Sequence, residues 1–300
     1  MCFSFGIADA AIFTVINGEN SGAGSLRQAI EDANALQGDD VIVFNIPENL
    51  CDAAGVCQIT NLSPNSITEG LLIDGTSQPR WGTAPDNVCA TDSSPSFMRI
   101  EISARGRNHS IFKTYTTVTT PVTIKGLSVG GYSSEADDNL IGIEFDGRAV
   151  NNRIYCNHIG LNAQGNERRL LRVGICLGCT FNPQHTIIGT DSDGINDVAE
   201  RNLISGTYNG ININTGGPFT IAGNYFSLTA EGLVLTGIRT LQCLYMRQDL
   251  ENILVGSNSD GQNDDLERNL FGYCFTGIEM APTLDPFNMI VAGNWFGLQA

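Results

Sequence analysis

The chain has 300 residues, enough to bury a large core, and it carries 32 acidic against 16 basic side chains for a net charge of −16. Such a surface repels phosphate backbones, which argues against nucleic-acid binding, and there is no apolar run of roughly 18 or more residues that would span a membrane. Glycine is abundant at 34 and helix formers are sparse outside one segment, a composition of many short strands joined by tight turns.

At the N-terminus, Met1–Ile7 is short and apolar, and Ala8-Asp9-Ala10 resembles a small-residue cleavage site. Residues 1–10 are therefore read as the stub of a truncated signal peptide, with a buried first strand as the alternative. Without Cys2 the chain has Cys51, Cys57, Cys89, Cys156, Cys176, Cys179, Cys243 and Cys274, an even set that suits an oxidising compartment. Cys51 and Cys57 bracket a short polar loop and make the best pair. Cys176 and Cys179 form a lone CxxC, which favours a disulfide or buried thiols over zinc. Asn61-Leu62-Ser63 and Asn108-His109-Ser110 are glycosylation sequons if the host is a secreting eukaryote.

Ile12–Ile16 is a β-rich run followed by a flexible turn through Gly22-Ala23-Gly24. Ser25 then caps the one convincing helix, expected over residues 25–37. Gln28 sits at the capping-box position, and Leu26, Ala29, Ile30 and Ala33 form one apolar stripe. This helix is expected to close the open end of a stack of strands, residues 11–58 forming the cap. From residue 59 the chain becomes short β-branched clusters punctuated by Gly, Asn and Asp, with residues 76–96 as a long loop.

Two copies of one motif then follow. Residues 189–204 read GTDSDGINDVAERNLI and residues 256–271 read GSNSDGQNDDLERNLF, an offset of 67. Arg153–Leu161 aligns with Thr220–Leu228 at the same offset, and again with Ile290–Leu298 three residues late. A fixed period signals a repeat architecture, and a 67-residue unit divides into about three β-solenoid coils of roughly 20–25 residues. Asn157, Asn224 and Asn294 fall at equivalent bends, where stacked amides can form a ladder. The expected fold is all-β: a right-handed parallel β-helix over residues 59–300 with a short N-terminal capping helix. The chain ends directly after a repeat motif, so further coils or a partner chain are expected at that end.

The segments Phe13-Thr14-Val15, Ser21–Ile30, Val43–Pro47 and Ile73–Pro79, with the repeats around Glu200–Gly206 and Ala222–Phe226, resemble secreted or cell-surface right-handed parallel β-helix proteins with a CSLREA-type N-terminal region. The chain departs from that pattern at Ser227-Leu228-Thr229 and Gly297-Leu298-Gln299, after the repeated Gly-Asn. The resemblance implies a secreted or surface location and no particular activity.

Two clusters carry candidate chemistry. Asp191, Asp193, Asp197 and Glu200, with Asp260, Asp264 and Glu267 in the second copy, alternate around a glycine as Ca²⁺ loops do. The competing expectation is that Asp197–Glu200 and Asp264–Glu267 are capping boxes of a one-turn helix. Glu144 and Asp146, with Asp137, are the catalytic candidates. Paired carboxylates with a neighbouring arginine in one groove would favour polysaccharide hydrolysis or lysis. Arg168, Arg169 and Arg172 form a small basic knot, and the aromatics Tyr225, Phe226, Trp295 and Phe296 follow the repeated Asn as potential sugar platforms. The expectation is an extracellular structural or adhesive module binding a polysaccharide or cell-surface ligand, with Ca²⁺ as the only candidate cofactor. A polysaccharide lyase or hydrolase of the same architecture is the alternative.

Overall fold

A computed structural model describes residues 10–61, 63–105, 109–115, 118–131, 139–146, 148, 150–180, 182–235, 240–282 and 287–297. Residues 1–9 of the signal-peptide stub, Asp137 and Asn108 of the second sequon therefore lie outside the described residues. The chain is all-β, with three parallel sheets of nine, eight and seven strands. It visits the sheets in rotation. Strand Asn152–Tyr155 lies in the first sheet, His158–Ile159 in the second and Leu171–Leu177 in the third, and Thr186–Gly189 then returns to the first beside Asn152–Tyr155. This order is compatible with a β-solenoid.

Strands such as Cys57–Asn61 and Leu71–Asp74 alternate buried with more exposed positions, so parallel pairing in register stacks like on like. In the first sheet Ile42, Ile73, Ile124, Ile154, Ile188, Ile221, Val255 and Val291 form one column. All but Val291 are fully buried. Burying each such side chain contributes about 1.5–3 kcal/mol. In the second sheet Phe226, Phe271 and Phe296 stack face to face, with centroids 4.7 and 4.6 Å apart. Of the four aromatics offered as sugar platforms, Phe226 is fully buried in this column and Phe296 continues it at its exposed end.

The 67-residue period contains two circuits, not three. Ile154 pairs with Ile188 and Ile188 with Ile221, steps of 34 and 33 residues. Two unlike circuits alternate because their long loops leave from different corners. After Thr186–Gly189 the acidic turn intervenes before Leu203–Ile204, whereas Phe219–Ala222 reaches Tyr225–Phe226 across only Gly223 and Asn224. Gly223 has φ +71°, a conformation that suits this two-residue corner to glycine.

The corner between the first and second sheets carries the expected asparagine ladder, and it has five members instead of three. Asn157 donates to Asn202 (3.1 Å), Asn202 to Asn224 (2.9 Å), Asn224 to Asn269 (3.0 Å) and Asn269 to Asn294 (2.9 Å). Asn202 and Asn269 belong to the Glu-Arg-Asn motif of the long-loop circuit, which lands on the ladder from the other side of its loop.

The helix spans Leu26–Asn34, shorter than expected, and buries the anticipated stripe of Leu26, Ala29, Ile30 and Ala33. Ser25 accepts from Gln28 N, but the Gln28 side chain turns to Asp32, so the reciprocal half of the capping box is not made. The helix closes the stack with side chains that imitate a strand. Asn34 donates to Ser66 O and accepts from Thr68 N along Asn65–Ile67, and Arg27 donates to the carbonyls of Ser63 and Pro64. These bonds satisfy an edge that would otherwise be exposed. Ile12–Val15 and Asp40–Phe44 already pair in the nine-stranded sheet, so the cap is continuous with the rest. Asn61 is buried, and its Oδ1 accepts from Arg27, so this sequon is not displayed.

His158 shows how tightly the circuits close. It is fully buried, with Nδ1 3.0 Å from Asn162 O and Nε2 2.8 Å from Ser96 Oγ. Burial brings its pKa down to about 4. A depressed histidine pKa means that the unfolded chain binds the extra proton. Stability is then full above the ordinary value near 6.5 and is lost as pH falls towards 4, by about 3 kcal/mol. Urea titrations at pH 7 and pH 4.5 should show this loss, and His158→Gln should reduce the difference. An unchanged difference in the variant would assign the acid lability to the carboxylates.

Candidate functional site

Three regions gather polar side chains. The first is the acidic turn. Gly189, at φ +94°, sends the chain out of the first sheet, and a Cβ there would meet Ala222 O at 1.9 Å. Thr190 Oγ1 donates to Asp197 Oδ1 (2.7 Å) and accepts from Ser192 N (3.0 Å). Glu200 Oε2 accepts from Asp191 N (3.0 Å). Arg153, from the preceding circuit, lies between the two carboxylates, 2.9 Å from Asp191 Oδ2 and 2.6 Å from Glu200 Oε1. Asp191, Asp197 and Glu200 thereby place one oxygen each within 4.8 Å of one another, a grouping that hard cations favour. Burial raises the Glu200 pKa, and Arg153 pulls it back.

Asp193 does not join this group. It is exposed, and its Oδ1 accepts from Ile195 N in a local turn, as Asp260 does from Gln262 N. The capping-box expectation also fails for Asp197–Glu200. The cap residue is Asn196, left-handed at φ 65° with no side-chain cap bond, and Asp197 and Glu200 turn inward. Asp264 and Glu267 occupy the corresponding places in the second copy, where Ser257 Oγ donates to Asp264 Oδ1 (2.7 Å) and Glu267 Oε2 accepts from Asn258 N (2.8 Å).

The second region is the cluster around Glu144. Glu144 and Asp146 converge, but on a lysine instead of an arginine: Lys113 Nζ lies 2.6 Å from Glu144 Oε1 and 3.5 Å from Asp146 Oδ2. Ser110 Oγ donates to Glu144 Oε2. Burial and a hydrogen bond to Asp146 raise the Glu144 pKa. Burial lowers that of Lys113, but the two carboxylates outweigh it and the net shift is upward. The cluster borders a cavity of about 470 Å³ with Tyr115 and Ile141. Glycoside hydrolysis needs its carboxyls about 5–5.5 or 6.5–9.5 Å apart, with the sugar between them. Here one ammonium bridges the two carboxyls, with Lys113 Nζ within reach of both Glu144 Oε1 and Asp146 Oδ2.

Arg99, Arg169 and Arg172 each hold partners of their own. Arg99 is buried and holds the carbonyls of Gln78, Pro85 and Asp86. Arg169 pairs with Glu101 (2.8 Å), and Arg172 lies over Tyr208.

The third region is a cleft that the sequence did not single out. The long loop after residue 75 is folded down over the first-to-second-sheet corner. Trp81 Nε1 bonds to Ile46 O, and Cys89 forms a disulfide with Cys156. Between this loop and the acidic turn lies a cavity of about 410 Å³, lined by Thr76, Arg99, Lys125, Tyr155, Asn196 and Glu200. Lys125 pairs with Asp74 (3.1 Å), and Arg153 stacks 4.7 Å over Tyr155. Arg153 and Lys113 were missed from sequence. A signal did exist: Lys113 and Lys125 are the only lysines, and Arg153 and Asp191 both have neutral repeat counterparts, Thr220 and Asn258.

All eight cysteines of the described residues are paired: Cys51–Cys57 as expected, Cys176–Cys179 as a disulfide, and Cys89–Cys156 and Cys243–Cys274 across circuits. No helix of the described residues is long and apolar enough to cross a membrane. No protein-family model, curated protein or solved structure matches the chain.

Proposed function

We propose that the chain is a right-handed parallel β-helix displayed outside the cell, of the CSLREA-type group that its N-terminal segment resembles, and that it acts as an adhesive module binding a polysaccharide. One observation carries this: the Cys89–Cys156 disulfide clamps a loop over the corner of the sheets and so forms the polar cleft around Tyr155. Structural disulfides persist in oxidising compartments, which supports a secreted or surface location. The cleft offers an aromatic ring, amide and hydroxyl groups and balanced charge, chemistry that suits the hydroxyls and C–H faces of a sugar. The net charge of −16 favours a neutral polysaccharide over an anionic one. The enzymatic alternative rests on Glu144, whose carboxyl is held by Lys113 and Ser110.

Binding of a panel of neutral surface polysaccharides, measured by calorimetry, tests this. Tyr155→Ala should weaken the best ligand about tenfold, the scale of one lost aromatic contact. Binding by none of the panel would sink the proposal. New reducing ends or unsaturated products, abolished in Glu144→Gln, would establish the enzyme instead.

A further inference from the structure

The two acidic turns differ at the one place where their charge is balanced. In the first, the guanidinium of Arg153 sits between Asp191 Oδ2 (2.9 Å) and Glu200 Oε1 (2.6 Å). Sixty-seven residues on, Thr220 stands where Arg153 stood and Asn258 where Asp191 stood. The hydrogen-bonding frame of the turn is retained, although Asp265 stands where Val198 stood. A hydroxyl donates at 2.7 Å to Asp197 in one copy and to Asp264 in the other, and a backbone N–H caps Oε2 of Glu200 and of Glu267. Glu267 Oε1 is thus the counterpart of the oxygen that holds the guanidinium. Glu267 is 0% exposed, and this oxygen has no hydrogen-bond partner among the described residues. Arg268 does not supply one, because its guanidinium lies 5.0 Å over the Trp295 ring. A buried carboxylate oxygen without a donor or cation is unfavourable, because burial removes water without replacing it.

We propose that the second turn binds a divalent cation of the Ca²⁺ class through Glu267 and Asp264, and that Arg153 is the built-in substitute for that ion in the first turn. The donor chemistry fits. Both ligands are carboxylates, hard oxygens whose two charges match one divalent ion. Asp264 Oδ1 is occupied by Ser257, but Asp264 is only half-buried, so its other oxygen and water are available to complete the six to eight oxygens that Ca²⁺ takes. Asn258 removes the carboxylate of Asp191, and the added Asp265, in place of Val198, is exposed, which leaves Glu267 and Asp264 as the two carboxylates of the site. The asymmetry goes beyond the sequence motif, which would give both turns the same ion.

Stoichiometry decides the matter. Equilibrium dialysis or calorimetry of the full chain with CaCl₂ up to millimolar concentration should give one ion per chain, with a Tm that rises with Ca²⁺. Thr220→Arg should bring the stoichiometry to zero while the variant stays folded, because a tethered guanidinium takes the ion's place. Glu267→Gln should weaken binding at least tenfold. Arg153→Thr, which uncovers Asp191, Asp197 and Glu200, should raise the stoichiometry to two. If that variant does not fold, the Thr220→Arg result alone is decisive. Wild-type values of zero or two ions, or unchanged binding in Thr220→Arg, would overturn the proposal.

Discussion

Replacing Asn224 by alanine is expected to lower stability by about 4 kcal/mol, a large effect for one exposed-looking polar residue in a turn. Its side-chain amide donates to Ile188 O, Ala222 O and Asn269 Oδ1, and its carbonyl accepts from Asn202. Each bond contributes about 1 kcal/mol net, but their loss leaves buried carbonyls and amides unpaired, which costs about 1–3 kcal/mol more. Asn224 is fully buried, so water does not replace the lost partners cheaply. Asn294, at the half-buried end of the ladder, accepts from one neighbour only, and its alanine variant should lose about half as much or less. Urea denaturation of both variants measures the difference. A loss below about 1 kcal/mol at Asn224 would mean that a water enters the corner and takes over the amide's bonds. Asn224→Asp should be at least as damaging, because it exchanges donors for a charge among carbonyls.

Removing the Cys89–Cys156 disulfide, as Cys89→Ala/Cys156→Ala, is expected to cost about 4 kcal/mol from chain entropy, since it closes a loop of 67 residues. The same change at Cys176–Cys179, only three residues apart, should cost about 2 kcal/mol. The two differ in function as well as in stability. Cys156 stands beside Asn157, the first member of the ladder, and its N–H donates to Glu200 O, so the disulfide ties the long loop to the most rigid corner of the sheets. Limited proteolysis should therefore cut between residues 81 and 97 in the Cys89–Cys156 variant and leave the Cys176–Cys179 variant intact. Polysaccharide binding should fall with the first and persist with the second. Equal stability loss in both variants would remove the entropic account, and an intact loop would mean that Arg99 and Trp81 hold it unaided.

The recurrence of one motif at a fixed interval, with β-branched clusters between Gly and Asn, by itself determined a parallel repeat of short strands. It also determined the helix, whose stripe of Leu26, Ala29, Ile30 and Ala33 is the buried one. These features are legible because they depend on spacing along the chain, where a period of two or of 3.6 assigns a face. The number of circuits per repeat was not legible. A 67-residue period is indifferent to whether its loops are long or short, and only strand register shows steps of 34 and 33. The site depended still more on tertiary structure. Asp193 and Asp197 are neighbours in one motif, yet one is spent on an exposed local turn while the other faces Thr190 in the interior. What separates the two acidic turns is a residue on the preceding circuit, Arg153 in one case and Thr220 in the other. Electrostatic partners act across space, and a solenoid brings together residues a full circuit apart, so charge balance at either turn was decided only when the coils stacked.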